Sequence, residues 1–113
     1  METKSINFFT QGKVRRMSFD INKYRNGNLY VGLLAHIKGQ PTPWQNLTVN
    51  LGIKCKENCA YIDTNNNEER IIDWLTDNKL GHVTGKTRSS GFWEYPEFEF
   101  DMKTMLEYVP KWR

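Results

Sequence analysis

Residues 59–81 read Cys-Ala-Tyr-Ile-Asp-Thr-Asn-Asn-Asn-Glu-Glu-Arg-Ile-Ile-Asp-Trp-Leu-Thr-Asp-Asn-Lys-Leu-Gly: a short strand, a polar turn and one amphipathic helix. Asn65 to Asn67 offer N-cap side chains. Asn66, followed three residues later by Glu69, fits a capping box, a motif that more often begins with Ser or Thr. Glu68 and Glu69 fall in the first turn, where carboxylates complement the positive helix end. Ile71, Ile72 and Leu75 form an apolar stripe that Trp74 extends. Lys79 lies in the last turn, and Gly81 is placed to supply the left-handed C-terminal residue. No other stretch is as clearly helical. The pattern predicts a helix over 67–80 that covers a sheet built from the rest of the chain.

On the N-terminal side, residues 6–9 and 14–22 alternate like strands joined by Gln-Gly-Lys. Met17, Phe19 and Ile21 face one way, while Arg16, Ser18, Asp20 and Asn22 face the other. Asn26-Gly27 is a strong hairpin signal, and it leads into 29–37, which is apolar on both faces and reads as a central strand. Pro41 and Pro43 break that run, since neither fits a central strand; residues 46–51 then alternate again. These segments predict an antiparallel meander of four strands. Residues 54–58 read as a connecting loop.

On the C-terminal side, residues 81–91 are polar and glycine-punctuated, which predicts a long, functional or mobile loop. Phe92 to Phe100 follow as strand. Asp101 is placed to cap a short helix carrying Met102, Met105, Leu106 and Val109, which Pro110 ends. The expected fold is α+β: an antiparallel sheet of five or six strands, one main helix packed on a face, and a short C-terminal helix. Residues 1–113 are expected to form a single domain.

The chain holds no apolar run near the roughly 20 residues that a membrane helix needs, and no signal peptide pattern opens it. A cytoplasmic location with no membrane partner is expected. Residues 1–56 carry nine lysines and arginines against two carboxylates, a net +7; residues 57–113 carry seven against eleven, a net −4. Either the fold keeps one basic and one acidic surface, or it interleaves the halves and erases the difference.

Motifs for chemistry are sparse. Cys55 and Cys59, with only His36 and His82 able to supply histidine ligands, match no finger or ribbon spacing, so they read as two ordinary thiols with no metal. Gly81-His-Val-Thr-Gly85-Lys86-Thr87 invites comparison with a phosphate-binding loop. It has three residues between its glycines where that motif has four, and a helix precedes it rather than follows. Asp63, Glu68, Glu69 and Asp73 are explained by a turn and a solvated helix face, and Ser89 and Ser90 have no evident base. Neither a catalytic residue nor a cofactor is expected. Asn46-Leu-Thr48 matches a glycosylation acceptor by chance.

Two surfaces remain as candidates. Lys86, Arg88, Phe92, Trp93 and Tyr95 combine charge with aromatic anchors suited to a protein partner, although the aromatics equally suit a core. Trp112, between Lys111 and Arg113, is the aromatic most readily expected at the surface. Arg15, Arg16, Lys23 and Arg25, near Tyr24 and Tyr30, would suit nucleic acid if they shared one sheet face. No RNA-recognition or helix-turn-helix signature accompanies them.

Ile62-Asp-Thr-Asn-Asn-Asn67, Leu80-Gly-His-Val-Thr-Gly-Lys-Thr-Arg-Ser-Ser-Gly-Phe92 and Tyr95-Pro-Glu-Phe-Glu-Phe-Asp101, with Gly27-Asn-Leu and Leu47-Thr-Val-Asn-Leu51, carry a resemblance over nearly the whole chain. The sequence resembles a family of small proteins of unknown function from Firmicutes and their plasmids, integrative elements and phages. That family brings no catalytic residues. The resemblance implies a non-enzymatic binder from a mobile element that inhibits a host defence nuclease, of CRISPR or restriction type, through a protein surface. A net charge of +3 excludes whole-surface DNA mimicry. The alternative is a small nucleic-acid-binding protein that uses the basic face. The target and the oligomeric state are not readable from the sequence.

Overall fold

Gln11 and Gly12 both take positive φ, 53° and 81°, the backbone of a two-residue type I′ hairpin turn. In the computed structural model, which describes residues 4–110, this turn joins β1 (Ile6–Thr10) to β2 (Lys13–Lys23). The Asn26-Gly27 turn, with Gly27 at φ 86°, joins β2 to β3 (Leu29–Ile37). Lys38 and Gly39, at 52° and 79°, repeat the first device and lead into β4 (Gln40–Asn46). The order β1-β2-β3-β4 is an antiparallel meander with β3 inside it, as the two apolar faces of 29–37 predicted.

The fourth strand differs from expectation. It is 40–46 rather than 46–51, and it contains Pro41 and Pro43. An edge strand tolerates them because only one side of it must donate to a ladder. At Leu47 the chain changes sheets. The Leu47 amide still donates to the Val31 carbonyl at 2.9 Å, and the next two residues, β5 (Thr48–Val49), pair with β6 (Cys59–Ile62). This corner begins a second antiparallel sheet, β5-β6-β8-β7, made with β7 (Gly81–Ser90) and β8 (Trp93–Phe100). The expected single sheet of five or six strands is therefore two four-stranded sheets. The fold is mostly β and falls broadly in the α+β class.

The inward faces of both sheets share one core. Ile6, Phe8, Met17, Phe19, Val31 and Leu33 come from the first sheet, and Ala60, Ile62, Phe98 and Phe100 from the second. Ile71 and Leu75 of the helix α1 (Ile71–Asp77) complete it, with Leu80 and Met105. Trp74 stacks on Phe8 at 4.4 Å and donates its indole N–H to the Asn7 carbonyl at 2.8 Å, which fastens α1 to β1. The C-terminal helix α2 (Met102–Met105) is capped as predicted: the Asp101 carboxylate accepts from the Thr104 amide.

α1 is shorter than the predicted 67–80, and the Asn66–Glu69 capping box is not formed. Asp63 takes over the turn: its carboxylate accepts from the Asn66 amide and side chain, and its carbonyl from the Asn67 side chain. At the other end Lys79, not Gly81, is the left-handed residue, at φ 59°. The loop predicted at 81–91 is the strand β7. Residues 6–46 form one sheet and 48–100 the other, so the basic and acidic halves of the chain fold side by side rather than interleaved. Among the described residues no helix is long and apolar enough to cross a membrane.

Candidate functional site

β7 and β8 form a long hairpin closed by Gly91 and Phe92, with Ser90 opposite Trp93. Gly91 has φ 62°, the first position of the turn, where a positive φ favours glycine. Phe92 follows at the tip, and its ring is fully exposed, at 111% of reference. β7 is the outer strand of its sheet and is largely exposed along its length, whereas Phe98 and Phe100 of β8 reach into the core. The hairpin is thus anchored on one strand and presented on the other.

Directly opposed residues of an antiparallel pair share a face. Arg88 faces Tyr95, Ser90 faces Trp93, and His82 faces Glu99; Tyr61 of β6 lies opposite Glu97 on the same outward face. The Thr84 hydroxyl donates to Glu97 at 2.7 Å, and the Glu97 side chain is buried under this layer at 6% exposure. Trp93 is half-exposed, and its indole N–H donates to the Thr64 hydroxyl at 2.9 Å. The structure therefore brings Arg88, Trp93 and Tyr95 onto one face and places Phe92 at its end. Lys86 stands in the irregular stretch between Val83 and Thr87, where the register shifts. Tyr95 is buried, so it supports the face rather than presenting a contact.

The basic residues of the first sheet are spread out. Arg15 opposes Phe8, on the core side of β2, and its guanidinium carbon lies 4.4 Å from the Trp44 ring centroid. Its neighbour Arg16 points the other way and donates to the Ser5 hydroxyl at 2.7 Å. Lys23 ends β2, and Arg25 is exposed in the following turn. Tyr24 and Tyr30 do meet, edge to face at 5.5 Å, with Tyr24 also bonded to the Thr48 hydroxyl. The four cations do not share a face. Trp112 lies outside the described residues.

Cys55 and Cys59 are free thiols. Burial pushes both above the ordinary thiol value, and the nearby Glu97 carboxylate pushes further. A raised thiol pKa lowers the share of the nucleophilic thiolate. Burial likewise raises the Tyr61 phenol, Glu97 adds to this, and Arg88 opposes it. Among the described residues no three His, Cys, Asp or Glu side chains are grouped to hold a metal ion.

One feature was not foreseen from the sequence. A cleft of about 670 Å³ opens beside the β2–β3 turn, lined by Lys23, Lys54 and Lys56 among others. Lys54-Cys-Lys56 in the sequence was the available signal. It reads as a solvated loop until the fold sets it against Lys23.

No curated protein and no solved structure matches the chain. A family model described as "Domain of unknown function (DUF4313)" matches residues 18–112, which takes in every strand from β3 onward, both helices and most of β2. The chain belongs to the DUF4313 family.

Proposed function

We propose that this protein is a non-enzymatic binding protein that engages a protein partner through the tip and outer face of the β7–β8 hairpin. The observation that carries this reading is Phe92. A phenyl ring held fully in water on a two-residue turn gains about 2 kcal/mol or more when a partner buries it. Trp93 beside it and Arg88 behind it are residue types that dominate interface energetics. Lys86 and Arg88 favour a partner surface with carboxylates.

The partner class is a host defence nuclease complex of CRISPR or restriction type, met in the cytoplasm, with the gene carried on a phage or other mobile element. This part rests on the sequence resemblance alone, an associational warrant. Nucleic-acid binding through Arg15, Arg16, Lys23 and Arg25 draws less support, because Arg15 and Arg16 project from opposite faces of β2.

The test is affinity capture of the tagged protein from cells that encode it, with and without nuclease digestion. The expected result is a partner that survives digestion and is lost with Phe92→Ser. Salt separates the two readings further. Six or more phosphate contacts would weaken binding by about 10³ or more between 50 and 200 mM salt, whereas an interface built on Phe92 and Trp93 weakens far less. Recovery of nuclease-sensitive material alone would overturn the proposal.

A further inference from the structure

We propose that the cleft beside the β2–β3 turn is a binding site for an organic phosphate, independent of the hairpin. Its volume of about 670 Å³ lies within the range of small-ligand sites. Its walls come from three separate parts of the chain: Ile21–Lys23 with Gly27–Leu29, residues 54–58, and Met102.

The site is held in shape by a buried side chain. Asn28, 6% exposed, donates to the Ile53 carbonyl at 2.7 Å and to the Asn50 side chain at 3.2 Å, and accepts from the Cys55 amide at 2.9 Å. These bonds fix the 50–55 segment against the β2–β3 turn. The Lys54 ammonium then donates to the Asn26 carbonyl at 3.0 Å, over Gly27, where a Cβ would lie 2.6 Å from it. Lys23 and Lys56, far apart in sequence, end at the same cleft.

The charged residues of the lining are mostly cationic. Three lysines line it against one acidic residue, Glu57, and among the described residues none of the three lysines is ion-paired. Asn22 uses its side-chain oxygen to accept from the Lys23 amide, and among the described residues its NH₂ group has no partner. Concentrating like charges in a cleft focuses a positive potential, and an anion relieves their mutual repulsion. Lysine binds phosphate as a point charge, with charge-assisted hydrogen bonds. Ile21, Leu29 and Met102 supply apolar surface in the same cleft, where the organic part of a phosphate ester can lie. A free nucleotide and a nucleic-acid strand both present this chemistry.

The test is an amide-resolved NMR titration of the full chain at low ionic strength. The probes are a nucleoside triphosphate, a short single-stranded oligonucleotide and inorganic triphosphate. Saturable shifts are expected at residues 23, 27, 28 and 54–58, with the nucleoside triphosphate or the oligonucleotide binding more tightly than inorganic triphosphate. Whichever of those two binds more tightly identifies the source. Lys23→Gln with Lys56→Gln should keep the Tm, because both side chains are exposed, and should weaken binding by about tenfold or more. No saturation by about 1 mM, shifts centred on Lys86 and Arg88, equal binding of inorganic triphosphate, or unchanged binding by the double variant would each overturn the proposal. None of these outcomes depends on Phe92, so the hairpin proposal stands or falls separately.

Discussion

Gly81 begins β7 at φ 151°, tight against β8. A Cβ there would collide with the Glu99 carbonyl and come within 2.6 Å of the Phe98 ring. Gly81→Ala should therefore cost about 3 kcal/mol or more, read as a fall in Tm of roughly 10–20 °C. Asn28 carries the opposite kind of constraint. Asn28→Ala would strand the Cys55 amide and the Ile53 carbonyl, and urea unfolding should show a loss of about 2–4 kcal/mol. His36 makes stability depend on pH. Burial and then Arg16 hold its folded pKa below the usual 6.5, while its ring bonds the Ser18 hydroxyl at 2.9 Å. Because the folded pKa is the lower one, the unfolded chain binds the proton first. Its contribution is complete above 6.5 and is lost as pH falls through the folded value. Thermal melts from pH 7.5 down to 5 should show the Tm falling on the acid side, and the fall should be smaller in His36→Gln.

Elements differ in how plainly the sequence announces them. The hairpins at Gln11-Gly12 and Asn26-Gly27 were legible because left-handed turn geometry restricts residue choice, and Gly and Asn advertise it. β3 was legible because its central residues 31–35 are all buried, so apolar side chains fall on both faces of the strand. The Asp101 cap was legible from the following Met102, Met105 spacing, and Asp101→Ala should cost about 1 kcal/mol of stability. β7 was not legible. As an edge strand lying largely in water it needs no apolar alternation, so Gly-His-Val-Thr-Gly-Lys-Thr-Arg-Ser-Ser has the composition of a loop. β4 was hidden by Pro41 and Pro43, which punctuate a central strand but not an edge. The helix start was misplaced because Asp63, three residues before the expected cap Asn66, captured the turn.

At the scale of the whole molecule, the change of sheets at Leu47 divides the chain and puts most of its basic half in the first sheet. Part of the arrangement was legible in the sequence: Arg88, Trp93 and Tyr95 share one face because residues flanking a two-residue turn pair across it, with Phe92 at the tip and Lys86 in the irregular stretch. The lysine cleft was not, since Lys23 and Lys54 meet only once β2 and the 50–58 segment are folded together. The hairpin is the centre of the functional account, and a photo-crosslinking amino acid at position 92 tests it most directly in cells that encode the protein. Val14, exposed at 59% on the other sheet, is the control position. One discrete, nuclease-resistant protein adduct is expected from position 92 and none from position 14. No protein adduct at 92, or the same adducts from both positions, would contradict it.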